Sequence, residues 1–399
     1  MSEFTRHKEE RIEKLKEIFE AILKGKHVKT LYEIHQGTIC KCVPSDVVYL
    51  VHELVGQEIP MPALKKGINK ILNLLYRTIS EHPAYHPPEG SYLWVMLRNN
   101  AVMMKKLEEL KPFVKQINQR QDQTNKTKSE AARLLGELLK FESYYAIKEN
   151  VLFPMIEKHL PEFRCLSVMW SFHDDIRRNL KAAVKELTGK MFDLQAFNKL
   201  TGDLYFNMNA IKFREEQILY PLLAEIIPAN ELEALFSESL EIGFPYYQPA
   251  GNFEKSIKAR GIAGKIDLGT GSVDAEQIRL ILNHLPVDIT FVDENNKVRY
   301  YSAPPKRIFR RTNAILGREV HNCHPPESEH VVEQIVAAFK AGKKDSASFW
   351  IDMKGEKLLI QYFAVREDDG TYKGVIEVSQ EITEIQKLEG QQRLLDWDK

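Results

Sequence analysis

The sequence predicts a multidomain chain: an all-α N-terminal module, a four-helix bundle, then an α+β domain with an antiparallel five-stranded sheet. Three observations carry this. Apolar residues recur at helical spacing through the first 240 or so positions, a ten-residue phrase occurs twice within that stretch, and the period drops to two after a Gly/Pro-rich segment. The boundaries fall at residues 1–85 for the module, 86–242 for the bundle, 243–272 for a linker and 273–399 for the α+β domain.

The module opens with a stripe of Ile12, Leu15, Ile18, Phe19, Ile22 and Leu23, which Gly25 can stop. Ser45 and Asp46 offer an N-cap to a helix carrying Val47, Leu50, Val51 and Leu54. Pro60-Met61-Pro62 opens another, with Leu64, Ile68, Ile71, Leu72 and Leu75 on one face. His82-Pro83 and His86-Pro87-Pro88 break the pattern.

Four longer helical patterns follow, over residues 92–117, 129–153, 162–187 and 194–220, with a shorter one at 231–240. Short joins between them argue for an up-down bundle. The second and fourth end on the repeated phrase, Lys148-Glu149-Asn150-Val151-Leu152-Phe153-Pro154 and Glu215-Glu216-Gln217-Ile218-Leu219-Tyr220-Pro221, at an offset of 67 residues. Phe141, Tyr145, Glu149, Leu152, Phe153 and Ile156 share one helix face, and Phe213, Glu216 and Tyr220 are expected to repeat it.

Residues 243–272 hold Pro245, Pro249, Gly251, Gly261, Gly264, Gly269 and Gly271. Gly269-Thr270-Gly271 follows no strand pattern and fails as a phosphate loop. A helix at 275–285 then leads into strands at 287–292 and 298–301, a mixed stretch, a helix at 331–339 and strands at 348–353, 358–365 and 372–378. A last helix is expected at 384–395.

Lys plus Arg and Asp plus Glu number 56 each, so no net field favours nucleic acid or an anionic membrane. Four cysteines make no disulfide framework and fit a reducing compartment. The first twenty residues lack a signal-peptide core and no apolar run reaches the length of a spanning helix, so a cytoplasmic protein is expected.

Glu149, His173 and Glu216 are placed inward from three helices, a set that can hold non-haem iron or manganese. The same residues also suit a metal-free network with a charged His173 between carboxylates. His321, Cys323, His324 and His330 form a second cluster, able to bind zinc or haem or to cap helices and line a pocket. Cys40-Lys41-Cys42, with His35 and His52 nearby, reads as a pre-helix loop or a soft-metal pair. No Ser-His-Asp elbow, P-loop or dinucleotide fingerprint appears, and no enzyme is expected.

The repeated Leu-Phe/Tyr-Pro endings, with Met169-Trp170-Ser171-Phe172-His173-Asp174-Asp175-Ile176-Arg177 between them, resemble a hemerythrin-type HHE cation-binding bundle. The whole chain resembles bacterial proteins of a domain-of-unknown-function family that join a short helical module, such a bundle and a PAS domain. Asp267-Leu268-Gly269-Thr270-Gly271, 285–292, Asn322-Cys323-His324-Pro325-Pro326 and Phe363-Ala364-Val365-Arg366 carry that likeness. The resemblance implies histidines where this sequence has Trp94, Tyr144 and Ile211. It leaves a metal set of Glu149, His173 and Glu216, with Tyr144 as phenolate ligand, or a site refilled by other side chains. It also implies a haem or other small ligand in the PAS domain, near His321, Cys323, His324 and His330. The expected role is sensing and signalling, with output to a protein partner or a homodimer through the last helix. The alternative is a non-haem iron protein handling oxygen, nitric oxide or iron.

Overall fold

The computed structural model describes residues 3–119, 125–160, 163–249 and 264–391. They fall into two compact units, one up to residue 255 and one from 256.

In the first unit, α1 (Glu3–Lys24), α2 (Val28–Ile39), α3 (Pro44–Val55) and α4 (Met61–Ser80) share one apolar core with the bundle that follows. Gly67 lets α4 lie against the Phe19 ring of α1; a Cβ there would overlap it. Helix α2 escapes the periodicity because only Ile39 of it is buried. Asp46 is the third residue of α3 and not its cap. Its buried carboxylate accepts from Val43 N at 2.9 Å and from Arg11 Nε and Nη2 at 2.7 and 3.1 Å, tying α3 to α1. Lys65 of α4 pairs with Asp175 in the bundle at 2.5 Å.

The bundle consists of α5 (Tyr92–Gln119), a broken second rod of α6 (Asn125–Leu139), α7 (Glu142–Ile147) and α8 (Phe153–His159), then α9 (Leu166–Thr188), and a fourth rod of α10 (Leu194–Arg214) and α11 (Tyr220–Ile226). Helix α5 packs on α6 and α10, and α9 packs on α6 and α10, which closes the four-rod ring. Helix α12 (Ala229–Ile242) lies across α5 and α7. The chain after α12 still belongs to this unit. Phe244 is buried, and Asn99 accepts from Tyr246 N and Tyr247 N at 3.1 and 3.0 Å.

The second unit opens with an antiparallel hairpin of β1 (Lys265–Asp267) and β2 (Ser272–Asp274). A strand does precede Gly269, contrary to the sequence expectation, but Gly269-Thr270-Gly271 forms its turn. Gly269 has φ 80° and Leu268 N donates to Gly271 O at 2.8 Å. No helix opens from that loop, so a phosphate loop is still excluded. Helix α13 (Ala275–His284) starts on a reciprocal cap, Gln277 N to Asp274 Oδ1 at 2.8 Å and Asp274 N to Gln277 Oε1 at 3.0 Å.

Strands β3 (Asp288–Asp293), β4 (Val298–Tyr301), β5 (Ser346–Met353), β6 (Glu356–Arg366) and β7 (Tyr372–Glu381) make an antiparallel sheet in the order β4-β3-β7-β6-β5. Helix α14 (Pro326–Lys340) supplies Val332, Val336 and Phe339 to a core with Val292, Ile360, Tyr362 and Val375. The fold class is therefore that expected. The helix at 384–395 is not seen as such. Among the described residues it is one 3₁₀ turn, Ile385–Lys387, and the positions from 392 onward lie outside them.

Candidate functional site

The two copies of the repeated phrase are two π-helical turns, Lys148–Leu152 and Glu215–Leu219. Their cause is local. Pro154 and Pro221 lack an N–H and their rings collide with the carbonyl four residues back, so each helix widens by one residue ahead of its proline. The bond that results spans five residues, Phe153 N to Lys148 O and Tyr220 N to Glu215 O.

This widening decides which acid points inward. Across a π-turn, residues five apart share a face, so Tyr220 sits over Glu215 rather than Glu216. Glu215 is fully buried, whereas Glu216 is partly exposed and pairs with Lys212 at 2.5 Å. The inward placement of Glu216 is thus corrected to Glu215. Glu216 instead lines a surface pocket of about 440 Å³ that also includes Trp94.

Lys148 and Glu215, the same position in the two copies, meet in the bundle's centre as an ion pair with both side chains fully buried. Glu215 Oε2 also takes Asn100 Nδ2 at 2.9 Å, Tyr144 OH at 3.0 Å and Tyr220 OH at 3.1 Å. The two phenols are 2.6 Å apart. The Lys148 ammonium also lies 4.6 and 4.7 Å from the Tyr144 and Tyr145 ring centroids. Burial pushes the lysine down from its ordinary value while Glu215 opposes that shift. Burial, with Glu215 adding to it, holds Tyr144 well above the usual phenol range. A protonated phenol that hydrogen-bonds a carboxylate is not a phenolate ligand, which corrects the role expected for Tyr144.

Glu149 does point inward. Its Oε1 is 2.8 Å from His173 Nδ1, and its Oε2 accepts from Arg177 Nη2 at 2.6 Å. Burial raises this carboxyl to about 7 against the pull of Arg177. His173 stacks on Tyr145 with centroids 4.3 Å apart, and its buried Nε2 has no hydrogen-bond partner. Burial, with Lys148 and Arg177 adding to it, holds the imidazole well below its ordinary value. The charged His173 of the sequence reading is therefore a neutral one.

The second cluster does not converge. Cys323 faces the apolar core of its unit, and its thiol reaches Glu319 O at 3.6 Å. His321 lies on the same 3₁₀ turn, Val320–Cys323, His324 follows it half-buried, and His330 is exposed on α14. Burial pushes the His324 imidazole down to about 4, so it is neutral at physiological pH. Cys323 turns into the core and His330 stands on the surface, with His321 and His330 both near Glu329, so the four do not form the single site expected of them. Cys40 and Cys42 are likewise split, one exposed and one buried. No three His, Cys, Asp or Glu side chains among the described residues are grouped to hold a metal.

Residues 93–223 match the hemerythrin HHE cation binding domain, and residues 278–383 match a PAS domain. The chain joins a hemerythrin-like bundle to a PAS domain. No curated protein matches it. Among solved structures it is similar to a C-terminal domain from Streptococcus mutans, at 33% identity over 32% of this chain and 98% of that chain, TM-score 0.30. A sensory box sensor histidine kinase from Vibrio cholerae matches at 13% identity over 27% of this chain and 90% of that one, TM-score 0.22. The PAS domain of a Colwellia psychrerythraea protein matches at 13% identity over 27% of this chain and 97% of that one, TM-score 0.22. The pairing of a hemerythrin-like bundle with a PAS domain supports a sensory protein. Among the described residues no helix is long and apolar enough to cross a membrane.

A hemerythrin-like bundle implies a bound cation, and the residues at its centre do not fit one. A metal needs acceptors aimed at a common point. Here the acceptor, Glu215, is closed by an ammonium, an amide and phenols. His173 alone keeps the arrangement of a metal-binding imidazole, with Nδ1 held by a carboxylate and Nε2 free.

The sequence missed Lys148, Asn100, Arg177 and Arg214. For Lys148 a signal existed: the 67-residue offset that aligns Glu149 with Glu216 also lays Lys148 over Glu215, opposite charges at one repeated position.

Proposed function

We infer that the chain is a non-catalytic cytoplasmic sensory protein whose hemerythrin-like bundle works without a metal. The observation that supports this is the Lys148–Glu215 pair, which puts a built-in cation at the bundle's centre. Signal input then belongs to a small ligand of the PAS domain, and output goes to a protein partner or a second copy through the segment after β7. Elemental analysis and an absorption spectrum of protein freshly purified from iron-supplemented cells test the metal-free bundle. The expected preparation is colourless with far less than one metal per chain. Stoichiometric iron with an oxo- or phenolate-to-iron band would overturn it.

One observation favours the second reading, a protein that handles oxygen, nitric oxide or iron. The free Nε2 of His173 is a ligand atom facing away from Glu149. That reading requires Lys148 to leave Glu215, and stoichiometric iron in the same preparation would select it.

A further inference from the structure

Arg214 ends α10 one residue before the second π-turn, and its placement is unusual for an arginine. The residue is 7% exposed, and its guanidinium lies 4.3 Å from the Phe172 ring centroid. Nη2 donates to Asn69 Oδ1 on α4. Nε and Nη1 are out of solvent with no hydrogen-bond partner. Among the described residues no acid forms an ion pair with it, and the neighbouring Glu215 is paired with Lys148. Burial lowers the guanidinium to about 9, with Glu215 opposing. A buried cation without a counter-charge is costly, so an anion beside it is strongly favoured.

Arg214 also lines a pocket of about 450 Å³ between α4 and α10, within the size range of small-molecule sites. The walls hold Asn69, Asn73 and Asn209 as polar groups, with no carboxylate. Tyr76 and Phe206, both unusually exposed for aromatics, flank it, and the lining Lys111 is already paired with Glu108. Tyr76 is held in place by stacking on Phe213, centroids 5.0 Å apart.

We propose that this pocket binds a small organic carboxylate, its anionic end against Arg214 and its apolar body against Tyr76 and Phe206. A monoanion matches the single uncompensated guanidinium, and the aromatic walls match an aryl or alkyl body. Because the pocket spans the N-terminal helices and the bundle, occupancy tightens the contact between α4 and α10.

Thermal unfolding of the full chain tests this, with phenylacetate, hexanoate, 2-phenylethanol, phenethylamine and phenyl phosphate as probes at matched ionic strength. Phenylacetate or hexanoate should raise the midpoint logarithmically, by about 3 °C for each tenfold of concentration above the dissociation constant. The alcohol and the amine should not. Asn73→Trp, which fills the pocket and leaves Arg214 in place, should abolish the response, as should Arg214→Met. The absence of a carboxylate-specific rise overturns the proposal, as does an equal rise in Asn73→Trp. A larger response to phenyl phosphate overturns the choice of carboxylate.

Discussion

Replacing Lys148 by Met removes the ammonium and leaves the carboxylate of Glu215 in a site where both side chains were fully buried. Asn100, Tyr144 and Tyr220 still donate to it, so its hydrogen bonds survive while its counter-charge is lost. Breaking a buried pair from one side destabilises by about 3–5 kcal/mol, at least a hundredfold in the unfolding equilibrium. Lys148→Met with Glu215→Gln removes both charges and keeps the acceptor for Asn100 and the phenols. That double variant should return to within about 2 kcal/mol of the parent, because neutralising a whole buried pair is often nearly neutral. Urea unfolding followed by far-ultraviolet circular dichroism reads the first unit, which carries most of the helix. A single variant within about 1 kcal/mol of the parent, or a double variant no better than the single, would refute the reasoning.

Three other outcomes are expected. Glu149 has a folded value near 7 against an ordinary 4.5, so the folded chain holds this proton longer. Its contribution is full below about 4.5 and is lost as pH rises through about 7, so the parent's stability relative to Glu149→Gln should fall across that window; a flat difference would count against the shift. Gly67→Ala drives a methyl into the Phe19 ring and should destabilise the first unit by about 1–3 kcal/mol, read from the same urea curves. Gly374 has φ 142°, and a Cβ there would overlap Val292 O across the β3–β7 pairing. Gly374→Ala should therefore lower the melting point of the PAS domain while leaving the helical transition unchanged, as calorimetry of the full chain can show.

The fold was legible because its signals are periodic. The duplicated phrase marked the bundle, and the alternation of residues 287–292 and 358–365 marked the sheet. The site was less so. A 3.6-residue period stepped back from Tyr220 lands on Glu216, and only the wider π-turn moves that step to Glu215. The proline that forces the turn was in view, but the period hid its effect. Lys148 was passed over because lysine belongs on surfaces by default, and its burial depends on Glu215, 67 residues away. The histidine–cysteine cluster failed for the opposite reason. Nearness in sequence suggested one site, yet the 3₁₀ turn buries Cys323 in the core while α14 leaves His330 on the surface.

Whether Lys148 stands where a hemerythrin-like bundle would hold its cation is tested most directly by titrating metal into the chelator-treated chain. Anaerobic ferrous iron, manganese and zinc are followed by calorimetry. With Glu215 closed by Lys148, no saturable uptake is predicted at neutral pH. Uptake of one or two equivalents, lost in Glu215→Gln and in His173→Phe, would contradict it.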